Sequence, residues 1–314
     1  MADFKQKRVD YINSWPNVAP FEAEKEYSDR IHALYAHSLF VPFKLKYSSE
    51  VHYNRAISFI IDALEVLDTK PMQAFGYTFT AYDLYSKYIP GSKPQITERN
   101  IDFCDTWNQS ISGHSQLMSA FEKLFEKAPL KMMQYYFLSM KDELQQQISN
   151  PKIKTPVYSR SIRTRNGGKD PNREAILNWI RTNYSGNFTD YSTDIRKASC
   201  LIHRLLTDSS VIINGTTYAV SLHDHLCIMA SGMLYSLRND IQHGSSISST
   251  KSSMTNLRMF AMGYYAFMMM YYLLMILIID QTRTDKASAY IELATNIDTN
   301  LTAYINIFGH SISE

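Results

Sequence analysis

The sequence predicts an almost entirely α-helical protein that carries one small β-hairpin. Apolar residues recur every three or four positions along most of the chain, which is the period of one face of a helix. Hydrophobic residues make up 45% of the chain and charged residues 20%, so a sizeable core can form. Strand-like patterns are sparse, and the best pair of β-prone runs stands together between two predicted helices.

Helices are expected in ten segments. The clearest stripe lies between residues 51 and 67, where Ile57, Ile60, Ile61 and Leu64 repeat at helical spacing. In chain order, the candidates are about 22–40, 50–67, 71–90, 97–126, 129–148, 173–184, 189–208, 221–243, 252–280 and 285–307.

The hairpin is expected at residues 211–220. Two β-prone runs, 211–213 and 216–220, flank the pair Asn214-Gly215. These two residue types tolerate the positive φ angles that a two-residue hairpin turn requires. The sequence therefore predicts a small exposed hairpin between two helices.

A break in the helical pattern divides the chain. Residues 151–172 are rich in Pro, Gly, Ser and Asn and have no helical period. This basic linker would separate an N-terminal helical domain, residues 1–150, from a C-terminal helical bundle, residues 173–314. A length of 314 residues suits one large domain or two ordinary ones.

The segment 259–279 contains no charged residue and is long enough to span a bilayer. Its four tyrosines, and the lack of a Lys/Arg cluster on one flank, favour a buried central helix in a protein that does not contact a membrane, although both interpretations stay open. Cys104, Cys200 and Cys227 are far apart and fit neither a disulfide framework nor a metal site. Together with the absence of an apolar signal-peptide core near the N-terminus, they favour a cytoplasmic location.

One short segment combines residues suited to chemistry on a phosphate: Arg238-Asn239-Asp240-Ile241-Gln242-His243-Gly244. It ends the predicted helix 221–243, and Gly244 can close that helix. Arg238 offers a planar fork of donors to phosphate oxygens. His243 titrates near neutral pH and can move a proton. The other interpretation is that both basic side chains only offset the dipole at the end of their own helix.

This segment resembles the catalytic motif of the HEPN ribonucleases, Arg-x(4–6)-His with Asn, His or Asp directly after the Arg and frequently Gly after the His. The surroundings are similar too, because the motif ends a long helix and is followed by a polar turn and a strongly apolar helix. The resemblance covers residues 173–308, implies an up-down helical bundle there, and leaves residues 1–150 unexplained.

The resemblance implies a metal-independent endoribonuclease without a cofactor. The RNA 2′-hydroxyl would attack the adjacent phosphate and leave a 2′,3′-cyclic phosphate. His243 would act as general base or acid, and Arg238 would stabilise charge on the phosphate. Asn239 would orient His243 or the phosphate, and Asp240 would be an outer partner.

The resemblance also implies a homodimer with a composite active site, a role in a bacterial toxin or antiphage system, and regulation by a protein partner. Some HEPN toxins that are paired with nucleotidyltransferase antitoxins carry a Tyr two residues after the motif His. Ser245 stands at that position here, which argues against that scheme of regulation.

The basic linker is a second candidate for contact with RNA. Arg160, Arg163, Arg165 and Lys169 would follow the phosphates of a single strand. The other interpretation is a solvated flexible loop. The net charge of the whole chain is only +2, so any attraction for RNA has to come from a local patch.

Two further motifs give weaker signals. His223 and His225 point to different sides of a helix and do not easily share a metal ion. Gly167-Gly168-Lys169 lacks the spacing and the preceding strand of a phosphate-binding loop. A non-catalytic helical module that binds RNA or a protein remains the alternative function.

Overall fold

The computed structural model describes residues 2–14, 16–33, 39–184, 193–242 and 255–313 of the chain. The helices are α1 (Ala2–Ser14), α2 (Glu22–Ala33), α3 (Val51–Val66), α4 (Pro71–Lys87), α5 (Ile96–Ser112), α6 (Ser115–Glu126), α7 (Leu130–Ser149), α8 (Pro156–Ile162), α9 (Pro171–Asn183), α10 (Asp194–Thr207), α11 (Leu222–Leu226), α12 (Tyr235–Gln242), α13 (Leu257–Thr282) and α14 (Lys286–Phe308); a π-helical segment, Cys227–Leu234, joins α11 to α12, and a 3₁₀ turn, Gly309–Ile312, follows α14.

The predicted all-α fold with a small hairpin is confirmed. Strands β1 (Ser210–Ile213) and β2 (Thr216–Ala219) pair antiparallel, with Ile213 opposite Thr216. Asn214 and Gly215 form the turn at φ angles of 49° and 76°, the left-handed region that this residue pair tolerates.

The observed elements differ from the predicted segments in several places. The helix α1 was not predicted, and the predicted helix 221–243 contains the π-helical segment between α11 and α12. The segment 97–126 is two helices: α5 ends at Ser112 with Gly113 as its C-cap, and α6 begins at Ser115. The linker, which was expected to be irregular, contains α8. Its first free N–H groups, those of Val157 and Tyr158, donate to the carboxylate of Glu143 on α7 at 2.7 and 3.1 Å. A cap supplied from a distant helix leaves no local sequence signal.

The centre of the molecule is α13, which corresponds to the predicted apolar helix. Among the described residues it is the one helix long and apolar enough to cross a membrane, and its apolar window is wholly buried inside the protein. It packs against α4 so closely that a Cβ at Gly263 would lie 2.8 Å from the backbone nitrogen of Met72. Trp107 on α5 donates to the Leu273 carbonyl at 2.9 Å.

The four tyrosines of α13 place their hydroxyl groups on backbone partners. Tyr264 donates to the Leu39 carbonyl at 2.5 Å, and Tyr265 donates to the Leu124 carbonyl at 3.1 Å. Tyr271 accepts from the backbone N–H of Phe43, and Tyr272 donates to the Asn296 carbonyl. A buried helix can hold four phenol groups because each has a hydrogen-bond partner.

One hydrophobic core runs through both parts of the chain. α4, from the N-terminal part, packs against α13, from the C-terminal part. Val157, Tyr158 and Ile162 of α8 belong to the same core. The division into residues 1–150 and 173–314 stays a prediction, and the two parts share an interior.

Candidate functional site

The helix that carries the candidate motif is held at its beginning and in its middle. α11 begins with a capping box, in which the side chains of Ser221 and Asp224 each accept from the other residue's backbone N–H. The segment Cys227–Leu234 is wound as a π-helix, a form that is frequent at functional sites. A Cβ at Gly232 would lie 2.5 Å from Ser161 Oγ, so this segment packs directly against α8. These contacts fix the position of the first residues of α12.

The last turns of α12 hold three of the four predicted catalytic residues: Arg238, Asn239 and Asp240. His243 and Gly244 lie outside the described residues, as does the chain from there to residue 254. The structure brings the three residues together, and the position of His243 beside them stays a prediction.

Arg238 is half-buried and is held from two sides. Its guanidinium carbon lies 5.6 Å from the centroid of the Phe79 ring on α4, and its Nη1 donates to Asn239 Oδ1 at 3.0 Å. Its Nε is closed off from solvent and has no acceptor in the part of the chain that the structure describes. Within the described residues, the hydrogen bond of this guanidinium goes to a side chain and not to a carbonyl of its own helix, unlike that of a simple helix cap.

Asp240 ties the end of α12 to α7. Its Oδ2 accepts a very short hydrogen bond from the hydroxyl of Tyr135. Burial, and then the bond to Asp240, raise the pKa of Tyr135 well above its usual value. Tyr135 therefore stays protonated at neutral pH and donates to the carboxylate, which fixes the direction of the helix end.

Two cations, Lys131 and Arg258, lie near the residue of α7 that contacts the end of α12. Lys131 lies one turn before Tyr135 on α7, and burial and the charge of Arg258 lower its pKa. Arg258 stands in the first turn of α13, the first described helix after residue 242. The end of α12 and the start of α13 therefore both lie close to residues 131–135. The positive charges of Lys131 and Arg258 lie in the same region. Such a grouping favours binding of an anion.

Arg160, predicted to bind RNA, is half-buried and supports the motif helix, and its contact with RNA stays a prediction. Its Nε donates to the Ser231 carbonyl at 3.2 Å and its Nη2 to Ser236 Oγ at 2.8 Å. Its guanidinium carbon lies 4.8 Å from the centroid of the Tyr235 ring. Burial lowers its pKa. These bonds hold α8 against the turn that leads into α12.

The other three residues predicted to bind RNA are paired with carboxylates. Arg163 lies 3.5 Å from Glu98, Arg165 lies 3.2 Å from Asp102 and 3.3 Å from Asp105, and Lys169 lies 2.6 Å from Glu174. A phosphate would have to displace a carboxylate at each of them. Their contact with RNA stays a prediction.

A second polar cluster was not expected from the sequence. Cys227 Sγ lies 3.8 Å from both ring nitrogens of His223, and His223 Nε2 lies 3.1 Å from Asp105 Oδ1. A hydrogen bond from Cys104, and then the His223 ring, lower the pKa of Cys227 to about 5. The signal that could have revealed it is the spacing of four between His223 and Cys227, which puts both on one helix face.

Cys227 is 1% exposed, so its thiol does not reach a substrate directly, whereas the side chains of His223 and Asp105 are partly exposed. His225, two residues after His223, faces the Phe125 ring instead. Burial lowers the pKa of His225. The two histidines therefore contact different parts of the protein, as their helical spacing predicts.

Comparisons with protein-family models, with curated proteins and with solved structures each found no match for this chain. The likeness to the HEPN family therefore depends on the motif at residues 238–244 and its helical surroundings.

Proposed function

We propose that this chain is a metal-independent endoribonuclease of the HEPN type that acts as a cytoplasmic homodimer. The observation that carries the proposal is the guanidinium of Arg238. Asn239 and Phe79 orient this guanidinium. Its Nε is buried and has no acceptor within the described residues. An arginine held in this way is suited to take a phosphate oxygen without reorganising.

The cleavage step uses groups of the RNA and of the motif. The 2′-oxygen forms a bond to phosphorus, and the bond from phosphorus to the 5′-oxygen breaks. His243 acts in one of the two proton transfers and water in the other: the 2′-hydroxyl gives its proton to one of them, and the leaving 5′-oxygen takes a proton from the other. Arg238 stabilises the added charge on the phosphate. The products are a 2′,3′-cyclic phosphate and a 5′-hydroxyl.

The neighbouring residues support this step. Asn239 orients Arg238, to which it is bonded, and Asp240 fixes the helix end through Tyr135. The positive charges of Lys131 and Arg258 attract the RNA backbone towards the motif. By resemblance to the family, the activity would belong to a bacterial toxin or antiphage system under the control of a partner protein.

The alternative is a helical module that binds RNA or a protein without cutting it. The grouping of Lys131 and Arg258 beside α12 would serve RNA binding equally well. Binding and cleavage therefore have to be measured separately.

The test is cleavage of total RNA and transfer RNA in the presence of EDTA, with wild type, His243→Ala and the matched control His310→Ala, which changes an exposed histidine. We expect cleavage by wild type and by the control, and a rate at least about 100-fold lower for His243→Ala, the typical loss of a general acid or base. If RNA is bound but never cut, this proposal is wrong and the chain is the non-catalytic binding module.

A further inference from the structure

A polar cavity of about 600 Å³ opens between α7, α8, α9 and the turn that joins α8 to α9. Its lining includes Arg163, Lys169, Arg181, Glu174 and Asn178. The volume lies in the range of sites for small molecules. Neither α12 nor residues 131–135 contribute to it, so it is separate from the candidate motif.

Arg181 is the unusual member of this lining. It is 8% exposed, and its guanidinium carbon lies 3.5 Å from the centroid of the Tyr158 ring. Its Nε donates to Asn178 Oδ1 at 3.0 Å, but its Nη1 has no hydrogen-bond partner within the described residues. A buried guanidinium N–H without an acceptor is costly, and native proteins rarely leave one unsatisfied.

Among the described residues, the carboxylates near Arg181 do not supply that acceptor. Glu143 contributes negative charge near Arg181, but its two oxygens accept from the backbone N–H groups of Val157 and Tyr158. Glu174 is paired with Lys169 at 2.6 Å. An external anion is the simplest group that completes the hydrogen bonding of Arg181.

Two more cations stand together at the mouth. Arg163 and Lys169 form an antiparallel bridge, which places directly opposite side chains on the same side. Gly167 closes the turn between them at a φ of 79°. The ion pairs of these two cations with Glu98 and Glu174 are exposed, and exposed pairs contribute little stability, so a phosphate can replace them.

We propose that this cavity binds a small phosphate monoester, with the phosphate held by Arg163, Lys169 and Arg181. Glu174 and Asn178 then face the remainder of the ligand and accept hydrogen bonds from its hydroxyl groups. A sugar phosphate has this combination of groups. The concave shape favours such a molecule over a nucleic-acid strand, which needs a groove that continues past the site. The proposal does not depend on the ribonuclease activity.

The test is calorimetric titration of the full-length protein with ribose 5-phosphate, inorganic phosphate and ribose. We expect ribose 5-phosphate to bind, phosphate to bind more weakly, and ribose not to bind. Arg163→Ala and Lys169→Ala should each raise the Kd for ribose 5-phosphate by about tenfold, the loss of one charged contact. Arg165→Ala is the matched control, because Arg165 does not line the cavity, and it should keep the wild-type Kd.

Arg181→Gln should abolish binding, and its thermal unfolding without ligand will show that it is folded. Because Arg163 and Lys169 are partly or largely exposed, their variants test the site even if Arg181→Gln does not fold. Absence of ribose 5-phosphate binding, or wild-type affinity in both exposed variants, overturns the proposal. Binding of an RNA oligonucleotide that these variants abolish, without binding of the monoester, would also overturn it and assign the surface to RNA.

Discussion

The basic linker and the end of α12 differ in how the charges counted along the sequence relate to the charges that lie together in the folded protein. The linker has many cations, but Arg163, Arg165 and Lys169 each lie against carboxylates from α5 or α9. The motif segment has little net charge in the sequence, yet the fold brings Lys131 and Arg258 near Tyr135, the residue of α7 that contacts it. The field at a surface is therefore set by packing of distant elements, and a count of charges along the chain does not give it.

The largest expected effect concerns stability and is found at Arg173, the first residue after the linker. Arg173 is 2% exposed and lies 3.2 Å from Asp224, so Arg173→Ala leaves a largely buried carboxylate without its partner. We expect the free energy of unfolding to fall by about 3–5 kcal/mol, as measured by urea denaturation. Arg165→Ala, at a side chain that is 63% exposed, should cost at most about 1 kcal/mol. Equal losses of the free energy of unfolding in the two variants would show that burial does not determine how much each arginine stabilises the fold.

A smaller loss is expected at the end of α12. Tyr135→Phe removes the donor to Asp240 and should lower the free energy of unfolding by about 1–3 kcal/mol, because a half-buried carboxylate then lacks its partner. Tyr47→Phe, at a side chain that is 93% exposed, is the matched control and should change nothing measurable. A wild-type urea midpoint for Tyr135→Phe would mean that Asp240 does not fix the helix end.

The smallest effect concerns RNA binding. Removal of one phosphate contact lowers the slope of log affinity against log salt by about one, and we expect this for Lys131→Ala. Arg165→Ala should lower the slope less, because Asp102 and Asp105 already neutralise that cation and leave it less free to contact a phosphate. RNA binding is measured over a series of salt concentrations. A larger change in slope for Arg165→Ala than for Lys131→Ala would contradict the comparison between the two regions.

Local patterns predicted most of the fold. The stripe between residues 51 and 67, the hairpin turn at Asn214-Gly215 and the buried helix 259–279 all follow from spacing or from the φ preferences of single residues. The helix α8 did not, because its cap comes from Glu143 on another helix. A pattern of period 3.6 also cannot appear in a helix of seven residues.

The site was predictable in part for the same reason. Arg238, Asn239 and Asp240 are neighbours in sequence, so a motif found them. Their partners Phe79 and Tyr135 come from α4 and α7, and nothing near residue 238 points to them. The pairing of Arg165 with Asp102 and Asp105 is likewise a tertiary contact between residues about 60 positions apart. Local sequence indicated which residues are suited to chemistry on a phosphate, and packing decided which of them are already paired.

The most direct test compares one arginine from each region in the same cleavage assay. Arg238→Ala and Arg165→Ala are measured beside wild type on transfer RNA with EDTA under single-turnover conditions, with the product ends identified. We expect Arg238→Ala to lower the rate by about 10²–10³-fold, the typical loss of one donor to developing charge. Arg165→Ala should keep the wild-type rate and leave 2′,3′-cyclic phosphate ends. Equal rates for Arg238→Ala and wild type would contradict the proposed active site.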